Sequence, residues 1–236
     1  RSNRDYHGLY AGIWTDFDIG NPFDDYIGSD SSRNMYFGYN GDTFDEGVKG
    51  YGSNPPAQCI KFLNYRMNHF MYYNNDFSFK GNPNQAIHYY YYLTGRFKNG
   101  QKLRYGGDGF TNVWDANRFE NYMFPSDPRL AKPSWNEGSS GNTPGDRRGL
   151  GSIGPLNLKS GDVFIMDIAY IYARVEHTNF LDVFDDLFTE ADQVQQLYNQ
   201  GKITNPFLTV INEQKVKLVF NIAPNPMESY TVISFN

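Results

Sequence analysis

From Tyr6 to Asp18, apolar or small positions alternate with polar ones, the period of two that sends successive side chains to opposite faces of a strand. Trp14, Asp16 and Asp18 share one face in that register. A second strand is predicted over Met35–Tyr39, closed by the turn signal Asn40-Gly41-Asp42. After Asn54-Pro55-Pro56, Ala57–Leu63 and Phe70–Tyr73 read as two more, which makes a meander the natural arrangement of the first third. The period then changes. Between Asn84 and Thr94 the apolar positions Ala86, Ile87, Tyr90, Tyr91 and Leu93 suit a short helix ended by Gly95.

Residues 100–161 are rich in Gly, Pro, Asn and Ser, which predicts long ordered loops with short strands near Arg118–Phe124 and Leu150–Pro155. Asp162–Ala173 is apolar on both faces, the pattern of a central strand. Phe180, Phe184, Leu187, Phe188, Ala191, Val194 and Tyr198 recur at three- and four-residue spacing, capped by Thr178-Asn179 and stopped at Gly201. That helix should lay its apolar stripe on a sheet. A connector over 202–214 contains Asn205-Pro206, and a new alternating segment begins at Val216. The expected fold is therefore mainly β: an antiparallel β-sandwich-like domain, 1–214, with helices packed at about 84–94 and 180–200. A truncated β-strand segment, 215–236, follows.

Composition narrows the functional classes. With 19 Tyr, 19 Phe and 23 Gly, the chain favours short strands and tight turns over long helices. A formal charge of −5 provides no basic field for a polyanion, so nucleic acid is not the expected partner. The single cysteine, Cys59, excludes an intramolecular disulfide framework and a Cys-rich zinc site, and its flanking Ile60 and Phe62 suit a buried strand residue. No apolar run is long enough for a transmembrane helix. Arg1-Ser2-Asn3-Arg4 lacks a signal-peptide pattern, and the chain stops inside an alternating strand, so both ends read as cuts from a longer protein.

The densest chemistry is acidic. Asp16, Asp18, Asp24, Asp25 and Asp30 crowd one short stretch, and hard cations such as Ca2+ need several converging oxygens. The stretch is no EF-hand, since Asn21 and Ile27 stand where that loop requires Gly and an acid. Two readings stay open here, a calcium site or turn-forming aspartates bonded to backbone. Gly149-Leu150-Gly151-Ser152-Ile153-Gly154 matches a dinucleotide fingerprint in letters only, because Pro155 follows where a helix should start. Asp146-Arg147-Arg148 reads as an ion pair fixing the long loop in preference to an anion clamp.

His7, His69, His88 and His177 are scattered, and no nucleophile is assembled with a base. A pair of carboxylates would suffice for a glycosidase, so the expectation leans away from an enzyme on absences alone. Trp114 and Trp135, with Trp14, are candidate sugar-binding rings. Tyr89-Tyr90-Tyr91-Tyr92 resembles a stacking platform in letters, yet helical spacing divides the four rings between core and surface.

Phe220–Phe235 resembles the opening of the type A C-terminal sorting domain carried by type IX secretion cargo in Bacteroidetes. A strand leads to the Pro224-Asn225-Pro226 turn, followed by a polar stretch and the alternating Thr231–Phe235. The family's remaining strands and Gly-rich close are missing here. Three further stretches, Gly12–Gly20, Gly50–Ala57 and Pro144–Arg148 with Ser152–Pro155, resemble a β-rich module of large secreted Bacteroidetes proteins, over roughly residues 8–200. The terminal resemblance implies a secreted or outer-surface location, with the type IX translocon and its shuttle proteins as partners. The expected function is a non-catalytic interaction or structural region, calcium-stabilised and adhesive towards a surface glycan or protein. The alternative is a carbohydrate-binding accessory module of a polysaccharide-degrading enzyme.

Overall fold

The computed structural model describes residues 3–176 and 178–203, together with the backbone of two short strands, Phe220–Asn221 and Ser234–Phe235. The boundary at 215 and the turn Pro224-Asn225-Pro226 lie outside the described residues.

Two antiparallel sheets form the frame. The first has the order β1 (Tyr6–Asp16), β10 (Arg147–Leu158), β7 (His69–Asn74). The second has the order β11 (Ile168–Ala173), β6 (Ala57–Phe62), β3 (Met35–Asn40), β2 (Asp25–Asp30). The short pairs β4 (Phe44–Asp45) with β5 (Gly52–Ser53), and β8 (Arg104–Tyr105) with β9 (Asp115–Phe119), decorate the loops. The terminal strands named above are β12 and β13, paired with each other.

Alternation along the strands builds one core on each face of the second sheet. Tyr36, Ile60 and Phe62 point toward the first sheet, where Tyr36 stacks on Phe70 at 4.9 Å. Met35, Phe37, Tyr39, Ala57 and Cys59 point the other way, against Phe184, Leu187 and Ala191 of helix α3 (Val183–Asn199). Helix α1 (Ala86–Leu93) covers the outer face of the first sheet, its Tyr92 stacked on Tyr73 at 4.9 Å. The result is a helix–sheet–sheet–helix stack, and Tyr89 and Tyr90 remain exposed on α1, as helical spacing requires.

The glycines of the 149–154 segment belong to sheet packing. A Cβ at Gly149 would lie 2.9 Å from the Tyr36 ring, and one at Gly151 would lie 2.7 Å from that ring and 2.8 Å from Phe62. Close approach of the two sheets, not phosphate binding, accounts for both. Overpacking such a site by even one methyl costs on the order of 1–3 kcal/mol.

Three elements differ from the sequence reading. Asp25–Asp30 is a strand, paired with β3 from Asp25↔Asn40 to Asp30↔Met35. The long central strand begins only at Ile168. Ser160, Gly161 and Asp162 make an exposed turn, and the Asn64 side chain then bonds Ile165 O and Asp167 N, occupying groups a ladder would need. The strand expected to run to Phe124 ends at Phe119, because Met123 and Phe124 plunge into the core. Asn179 does cap as expected, accepting from Leu181 N ahead of a 3-10 turn, Phe180–Asp182, and α3 stops before Gly201 in a left-handed conformation. A four-residue helix, α2 (Glu137–Ser140), lies in the long loop.

Candidate cation site

The end of β1 leads into a loop anchored by Phe17 and Ile19, both buried between the sheets. Gly20 turns the chain at φ 73°, a left-handed conformation suited to glycine, and an added Cβ there would collide with the Asp45 carboxylate. Asn21 then clamps two acids: its N–H donates to Asp45 Oδ1 (2.9 Å) and its side-chain amide to Asp24 Oδ2 (2.9 Å). Asp45 also accepts from Tyr51 N at 2.6 Å.

Asp25 opens β2 and faces Asn40 directly across the strand pair. Its Oδ2 accepts from Ile19 N at 2.9 Å, whereas Oδ1 is buried without a hydrogen-bond partner. The residue is only 2% exposed. Asn40, 1% exposed, is in the same position: its amide donates to Asp42 O, and its Oδ1 is buried and unpartnered. A third buried oxygen without a partner is Asp24 Oδ1. Among the described residues none of Asp24, Asp25 and Asp45 forms an ion pair.

The electrostatic consequence is large. Burial pushes the Asp25 carboxyl up to about 9; the Ile19 N–H pulls it down, and Asp24, Asp45 and Asp18 push it further up. Asp24 rises to about 6, chiefly by burial, with Glu46 and Asp45 adding and Asn21 opposing. An unpaired buried carboxylate is unfavourable enough that the group takes up a proton unless a positive charge replaces it. Carboxylate and amide oxygens without nitrogen or sulfur suit a hard dication of the calcium type.

The five acids singled out by sequence are separated. Asp16 and Asp18 lie with Asp146, their oxygens within 4.8 Å of one another, but Arg148 sits among them at 3.1 Å from Asp16 and 3.1 Å from Asp146. The guanidinium is the counterion there. Asp16 is nonetheless raised, because burial outweighs Arg148. Asp30 is at the far end of β2, about 17 Å along the strand from Asp25. It pairs with Arg33 at 2.9 Å and accepts from Ser32; those bonds outweigh its burial and hold its carboxyl below the usual range. Asp30 therefore belongs to a turn and not to the cation group.

Compared with known proteins, the chain matches no family model, no curated protein and no solved structure. Sequence reasoning missed Asn40, which the β2–β3 pairing sets opposite Asp25, and Asp45, which lies in the separate β4–β5 pair and reaches the group through Asn21. It also misplaced the aromatic candidates. Trp135 is 0% exposed and donates its indole N–H to Gly107 O, so it is a core ring beyond the reach of a ligand. Trp114 is half-buried, edge-on to Tyr105 with Lys132 over its face. The exposed indole is Trp14, at 50%. No helix among the described residues is long and apolar enough to cross a membrane.

Proposed function

We propose that this chain is a non-catalytic interaction module of an exported cell-surface protein, stabilised by one calcium ion bound at Asp24, Asp25, Asn40 and Asp45. The observation that carries the reading is that Asp24 Oδ1, Asp25 Oδ1 and Asn40 Oδ1 are buried without a partner beside acids that form no ion pair, although among the described residues only Asp16, Asp18 and Asp146 bring three acid oxygens within 4.8 Å of one another. Extracellular modules hold calcium at roughly 10⁻⁴–10⁻³ M, a range that works only where calcium is abundant, as outside cells. Cys59 fits that setting: it is buried, and burial pushes its thiol up to about 12, which disfavours the reactive thiolate. The resemblance of Phe220–Phe235 to a type IX sorting segment supplies the export route, with the translocon and its shuttle proteins as partners.

Calcium is expected to raise the unfolding temperature of the chain. At about 2 mM and an affinity of about 10⁻⁴ M, linkage gives about 2 kcal/mol, or roughly 4–8 °C for a domain of this size. Calorimetry in calcium and in chelator at about pH 8 measures it. The Asp25→Asn variant should melt higher than the parent in chelator and show no calcium response, since the amide keeps the Ile19 bond without the cost of protonating a buried carboxyl at that pH. Equal melting with and without calcium for the parent would refute the cation.

Export has its own test. A reporter joined ahead of residues 215–236 should reach the surface of a type IX-competent bacterium. Retention of that reporter in the periplasm would reject this half of the proposal.

A further inference from the structure

On the outer face of the first sheet, beside α1, a recess of about 360 Å³ opens between Tyr10 of β1, His69 of β7, Tyr90 of α1 and the Phe119–Asn121 segment. Its volume falls at the lower end of the range for small-ligand sites, with room for one or two sugar-sized rings. The walls are fixed by the frame. A Cβ at Gly154 would meet the Tyr10 ring at 2.4 Å, and one at Gly95 would meet His69 at 2.9 Å, so both rings are held from behind by backbone. Tyr90 stands edge-on to Tyr10 with centroids 5.8 Å apart, and Phe119 is exposed on the opposite rim.

Polar groups also line the recess. Tyr10, Tyr90 and Asn121 bring two hydroxyls and a side-chain amide to its lining. The His69 Nδ1 is buried without a hydrogen-bond partner. Burial holds the His69 imidazole below its ordinary range, so it is neutral at pH 7 and offers one donor and one acceptor.

Charge narrows the ligand further. Lys102 also lines the recess, and its ammonium lies 5.5 Å from the Phe119 ring with no ion pair among the described residues. Arg96 adds a second positive charge, its guanidinium bonded to Gly100 O. The one carboxylate, Glu120, is engaged by Arg118 at 2.6 Å. A locally cationic recess on a chain of net charge −5 selects an anion by short-range contact, because the long-range field repels it.

We propose that this recess binds a carboxylate-bearing sugar unit of the uronic-acid class. The ring packs between Tyr90 and Phe119, its hydroxyls meet Tyr10, His69 and Asn121, and its carboxylate meets Lys102. A neutral sugar would use the same rings and hydroxyls without the charge-assisted bond, and an acidic peptide would use the charge without the rings. The site is separate from the cation group and does not depend on it.

Titration calorimetry and amide chemical-shift mapping of the whole chain, in chelator, with galacturonic acid and galactose as probes, tests the assignment. Galacturonic acid should bind about tenfold tighter than galactose and weaken as salt is added. Lys102→Met should bring the acid down to the galactose value, and Tyr90→Ala should weaken both sugars about tenfold. Both side chains are exposed, so unchanged melting temperatures verify that the variants fold. Equal affinity for the two sugars, binding of neither, indifference to Lys102→Met, or tighter binding of an acetylated glutamate amide than of galacturonic acid would each overturn it.

Discussion

Replacing Arg147 with methionine is expected to lower the unfolding free energy by about 3–5 kcal/mol, the loss typical when one partner of a buried ion pair is removed. Glu137 is 0% exposed, and Arg147 reaches it with two parallel bonds, Nε to Oε1 at 3.1 Å and Nη2 to Oε2 at 3.0 Å. Ile27 N also donates to Oε1 at 2.9 Å, and Asn142 to Oε2 at 3.3 Å. From the other side Arg147 bonds Asn74 Oδ1 at 2.8 Å and Thr143 O, and lies over the Tyr72 ring at 5.3 Å. One pair thus ties β2, β7 and β10 to the long loop through α2. Methionine would leave the Glu137 carboxylate buried with no cation.

Against a total stability of about 5–15 kcal/mol such a loss approaches unfolding. Glu137→Gln keeps the Ile27 bond and removes the stranded charge, so the double variant Glu137→Gln/Arg147→Met should be more stable than Arg147→Met alone. Urea denaturation of the single and double variants measures both effects. A loss under about 1 kcal/mol for Arg147→Met would overturn the reading of this contact as a buried ion pair that holds the fold.

Legibility in the sequence followed how strongly each segment's own pattern constrained it. The α3 stripe and its Asn179 cap, and the alternation over Met35–Tyr39 and Ala57–Phe62, are set by local periodicity, and the structure keeps them. Asp25–Asp30 carried the same information in part, but its acids drew the reading toward a loop. The buried pairing of Asp25 with Asn40 depends on a partner strand that no local pattern announces. The same applies to Arg147, whose triplet Asp146-Arg147-Arg148 suggested an ion pair within the loop. Arg148 fits that, joining Asp146 and Asp16, whereas Arg147 turns inward to an acid ten residues upstream. Trp135 sat in a polar, Pro-rich stretch that signalled exposure. The stretch is instead pinned by that indole, packed on Phe124 at 5.5 Å and Tyr105 at 5.4 Å. Of the candidate cation site, the acids were legible and the grouping was not, because the grouping is a product of strand register.

Asp25 should make the stability of the calcium-free protein fall steeply with rising pH. Its carboxyl is pushed up to about 9 in the fold from an ordinary 3.8, so the folded state retains a proton that the unfolded chain releases. Stability from this group is complete below the unfolded value and is lost as pH rises toward the folded one, by about 1.4 kcal/mol per pH unit. Between about pH 5 and about pH 8 the loss is about 4 kcal/mol on that slope. Asp24, raised to about 6, adds a smaller loss of the same sign. Asp30, Asp108 and Asp127 are lowered, and their contribution changes only in more acid solution. His69, lowered by burial, acts in the opposite sense as pH rises through the unfolded histidine range, so the Asp25→Asn variant is the reference that isolates the carboxyl.

A saturating dication at the proposed site holds Asp25 ionised in the fold and removes its slope. Calcium binding must then release a proton, and its apparent affinity should rise about tenfold per pH unit below the folded value. Urea denaturation at about pH 5, 6.5 and 8, in chelator and in calcium, separates the outcomes. The parent should lose stability with pH in chelator and hold it in calcium, while Asp25→Asn should behave alike in both. A flat profile in chelator would show that Asp25 is not the buried neutral acid described above. A steep profile that calcium leaves unchanged would preserve the buried acid and eliminate the cation, which makes the two claims independently testable.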